Sequence, residues 1–171
     1  MTTPFIGTWR IDVEGSKVWD YANQVWLPEA AGEEIIRIGG DDQVQDYEVL
    51  YGDRPVVRMG YTSRFDDPTW VPYSIRGVEG VPEEEINDAL LEFQERVRSM
   101  VAFKVGGIYG LVRSVFVDER THYRISRSAE TGEAEYSMLR RMEPDGQAYL
   151  ASVHRVDGVV SRVRRFVRVE S

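Results

Sequence analysis

Short runs of alternating apolar and polar residues fill most of this chain, and turn-forming residues separate them about every eight to twelve positions. Alternation with a period of two favours half-buried strands, and closely spaced turns are typical of antiparallel sandwiches and barrels. The pattern predicts strands at residues 5–12, 17–22, 33–38, 43–51, 55–65, 70–76, 110–117, 121–127, 133–142, 147–155 and 159–169.

One segment, residues 82–101, has a helical instead of a strand-like period. Its apolar positions include Ile86, Leu90 and Phe93, which lie on one side of an α-helix. Pro82 suits the first helical turn, and the three glutamates that follow it suit the positive end of the helix dipole. We therefore expect one amphipathic helix inserted between two strands of a single domain that spans residues 1–171.

The last hairpin raises a question about which of its faces is buried. Asp157 and Gly158 favour a two-residue turn, which places Leu150 opposite Arg165 and His154 opposite Ser161. The other face carries four arginines, namely Arg155, Arg162, Arg164 and Arg168. Because arginine side chains are mostly exposed, we expect this row to face solvent. By elimination, His154 and Arg165 are predicted to point inward.

The same reasoning assigns an inner face to the three preceding hairpins. The turns near residues 53, 119 and 145 set which side chains share a face. His122 and Arg124 are predicted to face solvent. The predicted inner face comprises Tyr47, Val49, Tyr51, Val57, Met59, Tyr61, Val112, Ser114, Phe116, Tyr123, Ile125, Tyr136, Met138, Arg140, Met142, Ala148, Leu150 and Ser152.

Composition excludes several classes of function. The chain has no cysteine and two distant histidines, so we expect no metal site, and no phosphate-binding loop points to a cofactor. A net charge of −8 and a pI near 4.9 argue against a nucleic-acid partner. No long apolar run is present, so we expect no membrane segment and a cytoplasmic protein. The oligomeric state stays open, with a homodimer among the options.

Two motifs resemble those of lipocalins and related calycin barrels. Residues 5–10, FIGTWR, are similar to the Gly-x-Trp motif that opens the first strand of these barrels, and YTSRFDDPTWVPY at 61–73 resembles a strand pair of small bacterial lipocalin-like proteins. The Thr-Asp-Tyr motif of secreted lipocalins is missing, and the helix is extra. The resemblance implies an antiparallel up-and-down β-barrel with an internal ligand site. It also implies that Arg165 or a neighbouring basic residue stacks on Trp9.

A simple meander brings several of these residues to one end of the barrel. His154 and Tyr136 are predicted to lie beneath the inserted helix at an open mouth, where a histidine can donate or accept a proton. Trp9, Arg140 and Arg165 are predicted to close the opposite end. The candidate ligand contacts, mostly aromatic as in many small-molecule sites, are Tyr51, Tyr61, Tyr73, Tyr123, Met138 and Phe93.

Three functions are compatible with this picture. The first is binding of a small, largely apolar molecule, aromatic or polycyclic, inside the barrel, because small inward residues such as Ser114 and Ser152 favour a cavity. The second is a cofactor-independent isomerase, lyase or cyclase that uses His154 as general acid or base and Tyr136 as its partner. The third is a protein-interaction module with a filled core.

Overall fold

The computed structural model describes residues 3–30, 33–53, 55–96 and 104–170. A short 3-10 turn at Glu83–Glu85 leads into the helix, which lies between β6 and β7 as predicted. The elements follow one another as β1 (Gly7–Asp20), β2 (Val25–Pro28), β3 (Glu34–Gly40), β4 (Val44–Tyr51), β5 (Val56–Arg64), β6 (Val71–Glu79), α1 (Ile86–Arg96), β7 (Ile108–Asp118), β8 (Thr121–Arg127), β9 (Ala134–Met142), β10 (Ala148–Arg155) and β11 (Val160–Arg168).

Ten of these strands close into an antiparallel barrel. Each strand from β3 to β11 pairs with the next along the chain, and β1 pairs with both ends of this series. Trp9 of β1 lies opposite Ile36 of β3 on one side and Arg168 of β11 on the other. The predicted fold class, a mainly β up-and-down barrel with one inserted helix, is confirmed.

The first strand is continuous, whereas the sequence pattern predicts two separate strands at 5–12 and 17–22. β1 runs without a break from Gly7 to Asp20, but its register with β11 shifts between Asp12 and Lys17. Ser16 stabilises this bulge by donating a hydrogen bond to the Asp12 carbonyl oxygen at 2.6 Å. Beyond the bulge β1 pairs with β2, which the sequence pattern missed because all four of its residues are exposed and show no alternation.

The closed end of the barrel is built around Trp9. Its indole N–H donates to the Phe5 carbonyl oxygen at 2.8 Å, and its ring meets Tyr149 edge-on at 4.9 Å. The guanidinium of Arg168 lies 4.2 Å above the Trp9 ring. A basic residue late on the last strand therefore does stack on the tryptophan, as the resemblance implies, but it is Arg168 and not Arg165.

Arg168 also explains the glycine of the Gly-x-Trp motif. A Cβ atom on Gly7 would lie 2.6 Å from the Arg168 Nη1 atom, and the backbone at Gly7 has φ of 142°. Only glycine adopts this conformation and leaves this space without strain. Arg165, in contrast, points to the outside of the barrel. There it forms ion pairs with Asp12 at 2.8 Å and Glu143 at 2.7 Å.

The helix covers the other end of the barrel, which we call the mouth. Leu90 and Phe93 of α1 are buried, and the Phe93 ring lies 5.2 Å from the ring of Tyr51 at the end of β4. The predicted apolar stripe is thus confirmed as far as Phe93, while its continuation at residues 97–101 lies outside the described residues. In the described part of the chain, no helix combines the length and apolarity needed to cross a membrane.

Candidate functional site

Tyrosine rings line one side of the barrel interior. They alternate with outward residues along β4, β5 and β6, so each strand contributes its rings to the same face. The ring of Tyr61 stacks on Tyr47 at 5.0 Å and contacts Tyr73 at 5.5 Å, and Tyr73 in turn meets Tyr109 at 5.8 Å. The interior therefore has an aromatic wall with phenol groups along it.

Arg124 of β8 extends into this aromatic wall. Its guanidinium carbon lies 5.2 Å from the ring centres of Tyr47 and Tyr73, 5.6 Å from Tyr136 and 5.7 Å from Tyr61. The residue is 7% exposed, and its Nε and Nη1 atoms have no hydrogen-bond partner. Arginine stays charged at all ordinary pH values, so this is a buried cation with free donors.

Small residues beside Arg124 explain how a long side chain fits there. Ser114 lies opposite Arg124 on β7, and Ser126 is the next inward residue along β8. The Ser114 hydroxyl also forms a hydrogen bond with the Ser63 hydroxyl at 2.6 Å, which joins β7 to the end of β5, where Phe65 and Ser114 form a β-bridge. These short side chains leave lateral space that the guanidinium occupies.

A second buried guanidinium, Arg140 of β9, lies next to the same tyrosines. Its Nη1 donates to the Gln45 side-chain oxygen at 3.0 Å, and its Nη2 donates to the Tyr61 hydroxyl at 2.9 Å. Arg140 is 1% exposed, and its guanidinium lies 4.8 Å from the Tyr47 ring. Both guanidiniums thus flank the stacked pair of Tyr47 and Tyr61.

The two guanidiniums change the acidity of Tyr61. Burial alone would raise the pKa of this phenol, but the positive charges of Arg140 and Arg124 outweigh burial and lower the pKa below its usual value. Burial raises the pKa of Tyr73 well above its usual value, and the neighbouring phenols of Tyr51 and Tyr47 raise it further. The lowered pKa of Tyr61 therefore reports a locally positive potential inside the barrel.

Carboxylates compensate the arginines of β11 but not those of β8 and β9. Arg164 forms a bidentate ion pair with Glu34, in which the Arg164 Nη1 atom lies 3.1 Å from the Glu34 Oε1 atom. Among the described residues, the ion pairs of the interior join Arg162 and Arg164 to Glu29 and Glu34, and none reaches Arg124 or Arg140. The interior around the tyrosines therefore holds excess positive charge, although the whole chain carries −8.

Six of the eight predicted site residues point into the barrel. Tyr51, Tyr61 and Tyr73 are on the aromatic wall, and Phe93 covers it from the helix. Met138 and Tyr136 alternate with outward residues along β9 on the same inner face. The structure thus brings these side chains together, and their role as ligand contacts stays a prediction.

The predicted inward orientations of His154 and Tyr123 are wrong. His154 lies opposite Ser137 on the outer face of β10, because Tyr149, Ala151 and Val153 are the inward residues of that strand. Tyr123 of β8 lies between two buried inward residues, and therefore faces outward. The enzyme alternative loses the histidine on which it depended.

Two turns caused these errors. In the turn after β7, Phe116 lies opposite His122, so β8 is shifted by one residue from the predicted pairing. In the turn after β9, Met142 lies opposite Tyr149, which is again a shift by one. A shift of one residue exchanges the two faces of a strand. The residues placed on the wrong face for this reason are Tyr123, Ile125, Ala148, Leu150, Ser152 and His154, and conversely His122 and Arg124.

The arginine row of β11 also faces the interior instead of solvent. The predicted pairing of Leu150 with Arg165 is correct, but this pair lies on the outside. The opposite face, with Arg162, Arg164 and Arg168, lines the barrel. The sequence contains no local signal for this arrangement, since Glu34, the ion-pair partner of Arg164, lies 130 residues away in the chain.

His122 occupies an apolar cage at the closed end. Its ring lies 4.5 Å from Phe5, 4.6 Å from Phe65 and 5.3 Å from Phe116, and neither ring nitrogen has a hydrogen-bond partner. Burial lowers the pKa of His122 to about 4, and the charge of Arg140 adds to the effect. The folded protein therefore holds His122 neutral in the range where an unfolded chain would protonate it.

We expect this cage to make the protein less stable in acid. The unfolded chain binds a proton at His122 below its ordinary pKa of 6.5, whereas the folded chain does not, so stability falls as pH falls toward 4. From about pH 7.5 to about pH 5, this single group should lower the free energy of unfolding by about 2 kcal/mol. In His122→Leu, the free energy of unfolding measured by urea titration at several pH values should no longer show this decrease.

The other histidine provides the control for this prediction. His154→Leu removes a histidine but leaves the cage of Phe5, Phe65 and Phe116 intact, so the pH dependence that the cage causes should persist in this variant. If His122→Leu and His154→Leu give the same slope of unfolding free energy against pH, the neutral cage is not the cause.

The comparisons with known proteins identify a fold but no family. No protein-family model matches the chain, and no curated protein matches it in sequence. Among solved structures, the chain is similar to the fluorescent protein UnaG, with a TM-score of 0.54 and 11% sequence identity. The match covers 96% of this chain and 97% of that one. The likeness supports the closed antiparallel barrel fold along nearly the whole length of the chain.

Proposed function

We propose that residues 1–171 act as one binding domain for a small, largely apolar molecule that carries an acidic group. The acidic group binds Arg124, and the apolar, aromatic part of the molecule packs against the tyrosines. The observation that carries this proposal is the uncompensated guanidinium of Arg124, buried in the barrel with two nitrogen atoms that lack partners.

The energetic cost of Arg124 supports a role in binding. A buried charge that lacks an opposite charge destabilises a fold, and each buried donor without a partner costs about 1–3 kcal/mol. The four tyrosine rings around Arg124 stabilise the cation in part. They do not supply hydrogen-bond acceptors for Nε and Nη1. An oxyanion of a ligand supplies both the acceptor and the charge.

The surrounding side chains indicate the rest of the ligand. Tyr47, Tyr61 and Tyr73 present ring faces and edges, which pack well against planar aromatic groups. Met138 and Val112 add apolar surface on the neighbouring strands. An aromatic acid combines the charge that Arg124 requires with the shape that these rings accept.

Two related fluorescent probes test this proposal. The sulfonate 8-anilinonaphthalene-1-sulfonate and the uncharged N-phenyl-1-naphthylamine share the same two aromatic groups and differ by the acidic group. We expect the sulfonate to bind with a Kd at least about tenfold lower, because a charge-assisted contact with a buried guanidinium exceeds 1.4 kcal/mol. Titration calorimetry should give one molecule of sulfonate per chain.

The probe comparison has a clear opposite outcome. Equal affinity for the two probes, or tighter binding of the uncharged one, would show that the interior does not select an acidic group. Several molecules of sulfonate per chain with weak affinity would show adsorption on exposed apolar side chains, and would equally contradict the proposal.

A further inference from the structure

Glu29 places a carboxylate beside the arginines at the mouth. It follows β2, and its backbone N–H donates to the Ser16 carbonyl oxygen at 3.2 Å. Its side chain turns inward and is 5% exposed. There, its Oε2 atom lies 3.3 Å from the Arg162 Nε atom and 3.5 Å from the Arg164 Nε atom. One carboxylate of the chain itself thus occupies the space between two guanidiniums.

The contact of Glu29 with these arginines is loose. Its Oε2 atom accepts no hydrogen bond, and the Nε atom of Arg164 donates none, although the two are within ion-pair distance. The other oxygen, Oε1, accepts the N–H of Ala30 at 3.1 Å. Glu29 is therefore held near the arginines by charge, without the directional hydrogen bonds that strengthen an ion pair.

Glu34 makes Glu29 dispensable for the burial of Arg164. Both Nη atoms of Arg164 donate to the two oxygens of Glu34, which is 3% exposed. This bidentate pair by itself compensates the charge of Arg164, the more deeply buried of the two arginines. Arg162 is 43% exposed in its side chain and reaches solvent at the mouth. Because Glu34 already pairs with Arg164 and solvent reaches Arg162, the buried position of Glu29 calls for another explanation.

We propose that Glu29 is a resident counterion that an acidic ligand displaces as it enters the barrel. The inference rests on the proposed function, because it concerns how an anion reaches Arg124. Without Glu29, Arg162 and Arg164 present a positive field at the mouth, which attracts anions and speeds their association. With Glu29 in place, this field is largely cancelled. The acid group of the ligand then exchanges with the loosely held carboxylate.

Association kinetics of the two probes test this role. In stopped-flow experiments at constant ionic strength, Glu29→Gln should raise the association rate constant of 8-anilinonaphthalene-1-sulfonate about three- to tenfold. The rate constant of uncharged N-phenyl-1-naphthylamine should stay the same, since it has no charge for the field to attract. Glu29→Ala should show the same increase, which separates loss of charge from any new hydrogen bond of glutamine.

Glu33→Gln is the matched control, because it removes the same charge close by in the sequence. Glu33 is half exposed and pairs with Arg10 at 3.5 Å, away from the arginines of the mouth. Its substitution should change the association rate less than twofold. Urea midpoints close to that of the unaltered protein would show that all three variants are folded.

The outcomes separate this inference from the proposed function. If the sulfonate binds more tightly than the uncharged probe, but Glu29→Gln and Glu33→Gln associate at the same rate, the role of Glu29 is wrong and the proposed function stands. If both probes bind with equal affinity in every variant, the proposed function is wrong, and the inference that rests on it is wrong as well. If the uncharged probe accelerates as much as the sulfonate, Glu29 acts by blocking space and not by charge, which also overturns the inference.

Discussion

Replacing Arg124 with methionine should abolish the preference for an acidic ligand. We expect Arg124→Met to raise the Kd of 8-anilinonaphthalene-1-sulfonate about 10- to 100-fold, since a hydrogen bond to a charged group contributes about 1.5–3 kcal/mol. The Kd of N-phenyl-1-naphthylamine should change less than about threefold, because methionine keeps much of the length and apolar surface of the arginine stem. Fluorescence titration of both probes measures the two constants.

The same substitution should not weaken the fold. Arg124→Met removes a buried charge and two donors that lack partners, so the urea midpoint should be at or above that of the unaltered protein. Arg141→Met serves as control, since Arg141 is exposed on the outer face of the neighbouring strand β9. A loss of sulfonate affinity in Arg141→Met equal to that in Arg124→Met would contradict the assignment of Arg124.

The second large effect concerns the ion pair between Arg164 and Glu34. Glu34→Leu leaves Arg164 with the loose contact to Glu29 alone, and we expect it to lower the free energy of unfolding by about 3–5 kcal/mol. Adding Arg164→Met should recover most of this loss, because the remaining charge is then removed as well. Urea unfolding of the two single variants and the double variant gives the coupling energy.

Glu33→Leu is the control for this cycle. Its carboxylate is half exposed, and its pairing with Arg10 at the surface contributes at most about 1 kcal/mol. A double variant of Glu34 and Arg164 that is as unstable as Glu34→Leu would show that the loss comes from packing and not from an unpaired guanidinium.

The sequence predicted strands β3 to β11, the helix and their order because those signals are local, whereas it divided β1 and missed β2. Alternation marks strands, the spacing of Ile86, Leu90 and Phe93 marks the helix, and Asp157 with Gly158 marks the last turn. The pairing of Leu150 with Arg165 followed correctly from that turn. Each of these inferences uses residues that are neighbours in the chain or across one hairpin, where turn geometry determines the outcome.

The inner face of the last strands could not be found in the same way. Pairing says which side chains share a face, but not which face is buried. The rule that arginines belong in water assigns the arginine-bearing face to solvent, and this rule fails for Arg124 and Arg164. Their burial depends on Glu34 and on the tyrosine rings, which come from distant strands. Residues that serve binding are where general burial rules are expected to fail.

The central claim, that an acidic group binds Arg124 inside the barrel, has a direct spectroscopic test. In protein labelled with nitrogen isotope at arginine, the Nε–Hε signal of Arg124 is identified by its loss in Arg124→Met. Addition of 8-anilinonaphthalene-1-sulfonate should shift this signal strongly, while N-phenyl-1-naphthylamine should shift it little. Binding of the sulfonate that moves signals of exposed arginines and leaves that of Arg124 in place would contradict the claim.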